Sequence, residues 1–103
     1  MITVTVLYPN NKDGRFDMAY YLKTHIPMVQ RKLGAALKSV GVEQGLVGIE
    51  AGSPPPYLVL ARLRFDSLEA FQSAFAPHAK AIMADIPNYT NIQPVIQYNE
   101  EKI

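Results

Sequence analysis

The chain reads as a single α+β domain in which two β–α–β halves give four strands to one antiparallel sheet. Three observations predict it. Runs at 2–8 and 57–65 alternate between apolar and other positions, apolar residues recur at three- and four-residue steps from Phe16 and again from Leu68, and the elements come in the order strand, helix, strand, strand, helix, strand. A chain of 103 residues is enough for one core and too short for two, so the domain spans 1–103.

The first strand is ITVTVLY at 2–8, with Ile2, Val4, Val6 and Tyr8 on one face and Thr3, Thr5 and Leu7 on the other. Pro9 and the turn cluster PNNKDG stop it. The first helix starts after Asp17, which is expected to cap it, and stops at Gly34. Its apolar stripe is Met18, Tyr21, Leu22, His25, Met28, Val29 and Leu33. Pro27 interrupts that stripe. It has no N–H for the carbonyl of Lys23, which predicts a kink or a loosened turn beside His25. Val40 and Val42, extending toward Leu46, mark a second strand, where Gly41 and Gly45 signal a bulge or a close backbone approach. AGSPPP is a stiff connector with polyproline character.

YLVLARLRF at 57–65 is the strongest strand, with Tyr57, Val59, Ala61, Leu63 and Phe65 opposite Leu58, Leu60, Arg62 and Arg64. Asp66 with Glu69 three residues on reads as a capping box for the second helix, whose buried stripe is Leu68, Phe71, Phe75, Ala79 and Ile82. Pro77 breaks that helix near Ala76 and starts a second short turn. The last strand is placed at 92–98, and Pro94 assigns it to an edge. Right-handed crossovers then put both helices on one face of the sheet, the ferredoxin-like plan βαββαβ.

The other face would carry Leu7, Leu58, Leu60 and part of the last strand, diluted by Thr3, Thr5, Arg62 and Arg64. Burying each leucine is worth about 1.5–3 kcal/mol. The expectation is a homodimer that packs two such faces together about a twofold axis.

Charge and composition exclude several classes of function. Ten basic and nine acidic side chains leave +1, which gives no electrostatic basis for binding nucleic acid or an anionic membrane. No apolar run is long enough to span a bilayer, and MITVTVLYPNN lacks the pattern of a secretory leader. The absence of cysteine removes disulfides, thiolate metal sites and a cysteine nucleophile, and fits the expected cytoplasmic location. No phosphate loop, GxSxG elbow or dinucleotide fingerprint occurs, and two histidines without carboxylates at ligand spacing argue against a metal.

Chemistry falls to a few residues. His25 lies on the first helix's apolar stripe, where it is either a general acid–base or a packed ring bonded to a carbonyl freed by Pro27. His78 comes after Pro77 near a helix start, facing the same cavity or capping the turn. Tyr20 and Tyr21 point about 100° apart on a helix. Tyr21 shares the face of His25, while Tyr20 leans to the flank, from which a kink would swing it toward the cavity. Asp85, Asn88 and Tyr89 in DIPNYT form a polar and aromatic loop suited to a pocket mouth or to an Asx-type turn.

Three segments in order, YYLKTHIPMVQRKLG, SPPPY and FDSLEAFQSAFAPHAKAIMADIPNYT, resemble the EthD family, named for ethyl tert-butyl ether degradation, and the resemblance runs from about residue 2 to residue 98. It implies a dimeric α+β barrel, in which two ferredoxin-like subunits join their sheets and each keeps a cavity between sheet and helices. The wider superfamily includes cofactor-free monooxygenases, polyketide cyclases, muconolactone isomerases and haem enzymes. EthD-like proteins occur beside an ether-oxidising cytochrome system. The helix-one histidine maps onto His25 and the PHA histidine onto His78.

These features admit three readings. The first is an enzyme, a cofactor-independent oxidoreductase or a cyclase or isomerase, working on a small hydrophobic or aromatic metabolite in a degradation or biosynthetic pathway. It would use His25 and His78 as catalytic groups, and Tyr20, Tyr21, Met28, Phe75, Asp85 and Tyr89 around the substrate, with no metal and no cofactor. The second is a non-catalytic dimer that binds such a metabolite or supports a partner oxygenase. The third is haem binding through one axial histidine.

Overall fold

The computed structural model describes all 103 residues. Its first strand, β1 (Ile2–Pro9), keeps the predicted alternation and continues through Pro9, which pairs with Tyr57 beyond an irregularity in the ladder. β2 (Ser39–Gln44), β3 (Tyr57–Phe65) and β4 (Val95–Glu100) complete one antiparallel sheet in the order β2-β3-β1-β4. The two halves therefore interleave as the ferredoxin-like plan requires. β4 begins after Pro94 rather than at residue 92, Pro94 having no N–H to donate to the ladder with β1. It is an edge strand, as predicted.

Register settles the two faces. The pairs Val4–Leu63, Val6–Ala61 and Tyr8–Val59 lie on the core side, and Thr3–Arg64, Thr5–Arg62 and Leu7–Leu60 on the other. Val95, opposite Leu7, adds to the second face. Phe65, Val59 and Ala61 are essentially sealed within a cluster that also contains Tyr21, Val29, Leu33, Phe71 and Ile82 from the helical side. No helix is long and apolar enough to cross a membrane.

Helix α1 (residues 18–33) opens at Asp17, whose carboxylate accepts the N–H of Tyr20 at 3.1 Å. A short α-helical turn, Met18–Tyr20, leads into a π-helical turn, Tyr21–His25, before regular helix resumes at Ile26–Leu33. The Ile26 N–H reaches back five residues to the carbonyl of Tyr21. This is the loosened turn expected ahead of Pro27. It also shifts the buried stripe: Ile26 is buried, whereas Leu22, expected inside, is about half exposed at 48%. One extra residue in a turn rotates the remainder of the helix by about 100°, so a strict 3.6-residue pattern cannot hold across it. Gly34 ends the helix at φ 59°, ψ −140°, a backbone region that only glycine occupies without strain.

β2 stops at Gln44, and Leu46 lies beyond it in the exposed connector. Gly45 is the close approach: its N–H bonds the Leu58 carbonyl at 2.8 Å, and a Cβ there would collide with the carbonyl of Tyr57.

Helix α2 (residues 68–84) runs Leu68–Phe75, tightens over Ala76–His78 at Pro77, and resumes over Ala79–Ala84. Its cap is Ser67, whose hydroxyl accepts the Ala70 N–H at 3.0 Å, and not Asp66. Phe65 must stay in the core as the last strand residue, so the chain uses two residues to turn, and the second takes the cap. Asp66 instead stands 3.7 Å from Lys38 Nζ at the surface. Leu68, in the first turn, is exposed rather than part of the buried stripe.

Candidate functional site

Between the sheet and the two helices lies a cavity of about 380 Å³, within the usual size range for small ligands. Its lining is apolar apart from His25, Gln97 and the tyrosine hydroxyls, and it contains no lysine, arginine, aspartate or glutamate. Ile96 and Tyr98 of β4 form one wall and remain 42% and 52% exposed, so the cavity opens past that edge strand.

His25 reaches the cavity from the end of the π-helical turn and is 5% exposed. Its Nδ1 lies 2.8 Å from Oδ2 of Asp85. Asp85 is held in turn on its other oxygen, which accepts the Tyr20 hydroxyl at 2.7 Å and the Asn88 side-chain amide at 2.9 Å. Burial is the largest single influence on this carboxyl and opposes its ionisation. The hydrogen bonds from Asn88, Tyr20 and His25, with the electrostatic attraction of the nearby imidazole, together outweigh it and hold Asp85 below the usual carboxylate range. The same contact acts in reverse on Tyr20, whose phenol is pushed up first by its bond to the Asp85 carboxylate.

The loop carrying Asp85 is laced to the start of α1. The Asp17 N–H donates to the Tyr89 carbonyl at 2.8 Å, the Thr90 hydroxyl to the Arg15 carbonyl at 2.6 Å, and the Arg15 N–H to the Asn91 side chain at 2.8 Å. A helical turn at Ile86–Asn88 then presents Tyr89 inward. These bonds bring two segments distant in sequence to the same end of the cavity.

No protein group bonds Nε2 of His25, and no buried side-chain nitrogen or oxygen of the chain lacks a partner. Nε2 is therefore the ring atom that meets open space, and the space His25 lines is the cavity. A carboxylate on Nδ1 fixes the tautomer that keeps its proton there and leaves Nε2 a lone pair. The ring lies parallel to that of Tyr21, centroids 5.4 Å apart, and against Tyr89 at 4.6 Å.

Tyr8 and Tyr89 share a hydroxyl–hydroxyl hydrogen bond of 2.7 Å. Burial is the largest cause pushing both phenols, and that of Tyr21, well above the ordinary tyrosine value, and it outweighs the hydrogen bonds from Tyr8 to Tyr89 and from Tyr21 to Tyr8, which act the other way on the acceptor. All three are neutral and able to donate at physiological pH.

Of the residues singled out from sequence, His25, Tyr21, Phe75 and Tyr89 line the cavity. Tyr20 and Asp85 stand behind His25 rather than on the wall. Met28 is half-buried against the core and does not reach the cavity. His78 is half-buried on the tight turn of α2 and does not share the cavity with His25. Tyr8 joins the lining without a sequence signal of its own, because its place in an alternating strand marks it only as core. The carboxylate partner of His25 has no such signal either, being sixty residues away in the chain.

Nowhere do three or more histidine, aspartate or glutamate side chains gather to hold a metal ion. Haem does not fit the residues present: its two propionates would need cations at the rim, and the lining has none.

A model of the EthD domain matches residues 13–93. Among solved structures, an EthD-like protein from Ralstonia eutropha JMP134 is 42% identical, with a TM-score of 0.95 over 99% of this chain and 92% of that one. An ethyl tert-butyl ether degradation (EthD) family protein from Bacillus halodurans C-125 is 19% identical, with a TM-score of 0.67 over 98% of both chains. A dimeric ferredoxin-like protein of unknown function from Thermobifida fusca YX is 18% identical, with a TM-score of 0.57 over 97% of this chain and 90% of that one. The last two share the fold. No curated protein matches the chain.

Proposed function

The chain belongs to the EthD family, and we propose that it binds a small hydrophobic or aromatic metabolite in the helix–sheet cavity and removes a proton from it, with His25 as the base. The observation that carries this reading is the bond between His25 Nδ1 and Asp85, which leaves Nε2 facing an apolar chamber. Asp85 orients the ring and stabilises the imidazolium that forms when Nε2 takes a proton. Tyr20 and Asn88 hold Asp85 in place. Phe75 and Tyr21 supply apolar and aromatic wall. Proton loss from an activated carbon or a phenol opens both cyclisation and cofactor-free oxidation of an aromatic compound, the two chemistries that the family resemblance suggests.

The working unit in this proposal is a cytoplasmic homodimer joined through the open sheet face. Leu7, Leu60 and Val95 lie side by side in register toward one end of that face, on the side of the sheet away from the core.

Solvent deuterium exchange into 2-tetralone, a carbon acid of suitable size, tests the chemistry. The unmodified chain should accelerate exchange with saturation, and His25→Ala should abolish the acceleration while the ketone still binds. Binding without any acceleration would leave a sequestering or accessory dimer as the function.

A further inference from the structure

Tyr8 and Tyr89 come from opposite ends of the chain, yet their hydroxyls meet at 2.7 Å against the cavity that both residues line. The Tyr21 hydroxyl interacts with that of Tyr8 on its other side, so three phenols bring three protons to a row with two contacts. At most two can lie within the row, and the third must point elsewhere. A buried hydroxyl proton with nothing to accept it costs free energy, so the pair is set up to receive an acceptor atom. The ring of Tyr89 packs against that of His25 at 4.6 Å, which places the hydroxyls and the base at the same end of the chamber. The absence of cations from the lining bars carboxylates and phosphates, whose charge would be buried unpaired.

We infer that the paired hydroxyls of Tyr8 and Tyr89 are the oxygen-recognition element of the cavity, and that its ligand is a neutral ring compound presenting a carbonyl or a hydroxyl to them. This rests on the cavity reading above and adds a substrate class to it. When His25 takes a proton from such a ligand, the resulting charge spreads onto that oxygen. The tyrosine pair then donates to an oxyanion, and its high resistance to ionisation keeps the proton on the phenol.

Three probes of one shape test the inference by calorimetry: naphthalene, 2-naphthol and 2-naphthoate. The unmodified chain should bind 2-naphthol about fivefold or more tightly than naphthalene, roughly the net worth of one hydrogen bond. It should bind 2-naphthoate more weakly than either. Tyr89→Phe and Tyr8→Phe should each erase the preference for 2-naphthol and leave naphthalene affinity unchanged, with folding checked by circular dichroism. Equal affinity for naphthalene and 2-naphthol overturns the inference and leaves the cavity reading standing, as does tight binding of 2-naphthoate. A preference that survives in both variants also overturns it. If neither variant folds, the comparison of probes on the unmodified chain still decides. Failure of every probe to bind overturns the cavity reading itself.

Discussion

Asp85 Oδ2 lies 2.8 Å from Nδ1 of His25, although sixty residues separate them. The carboxylate does not line the cavity, so its influence on a bound molecule passes through the ring it holds. Asp85→Asn should therefore slow deuterium exchange into 2-tetralone by about a hundredfold. The dissociation constant of the ketone should stay within a factor of two or so, and kinetics with equilibrium binding on the same samples separates the two effects.

The depressed Asp85 carboxyl also makes an acid-stability prediction. A carboxyl whose folded value lies below its unfolded value stabilises the fold above the unfolded value, about 3.9 for aspartate. That stability disappears as pH falls through the folded value. Urea midpoints measured from about pH 6 down to pH 2 should show the unmodified chain losing its advantage over Asp85→Asn across the acid end of that range.

Alkaline titration should reveal the buried phenols. Tyr8, Tyr21 and Tyr89 are pushed up chiefly by burial, so the fold favours their neutral form. The stability this brings is fully present below the unfolded value near 10 and fades as pH rises toward the folded values. Tyrosinate absorbance of the native protein should stop short of that expected for six tyrosines, and the missing part should appear together with unfolding.

Gly34 and Gly41 form a matched pair for substitution. A Cβ at either would meet nothing within 4 Å, but only Gly34 has a positive φ. Gly34→Ala should cost about 1–3 kcal/mol through backbone strain alone. Gly41→Ala should change the urea midpoint little, since its backbone already suits an ordinary residue.

The homodimer proposal gives a mass. The unmodified chain should scatter light as twice 11.5 kDa, and Leu7→Asp with Leu60→Asp should return a folded species of single-chain mass, since both side chains sit on the uncovered face in register with each other. Unaltered mass in that variant would place the contact elsewhere.

Much of the fold was legible because its signals are local. Alternation in β1 and β3 sorted Val4 and Leu63 from Thr3 and Arg64, and the missing N–H of Pro27 announced the loose turn ahead of it. The errors arose where a local rule met a tertiary demand. Leu22 and Ile26 exchanged roles across the wide turn, and Asp66 lost the cap to Ser67 because Phe65 had to remain in the core. The site was legible only in part. His25 and Tyr21 were marked by one helical stripe, Phe75 by another and Tyr89 by a polar and aromatic loop, and all four line the cavity. The Asp85 carboxylate and the Tyr8 hydroxyl entered through contacts that span 60 and 81 residues, and no periodicity encodes such distances.

The π-helical turn at Tyr21–His25 means that α1 contains one amino acid more than a regular helix of the same span. Loss of any single codon within that turn would let the helix rewind to uniform pitch and keep its hydrophobic seat. It would also swing the leading segment, with Asp17 and Tyr20, about a quarter-turn away from the loop it is stitched to. If the proposed function holds, a deletion series through 21–25 would then yield chains that fold and still hold 2-tetralone but no longer speed its exchange.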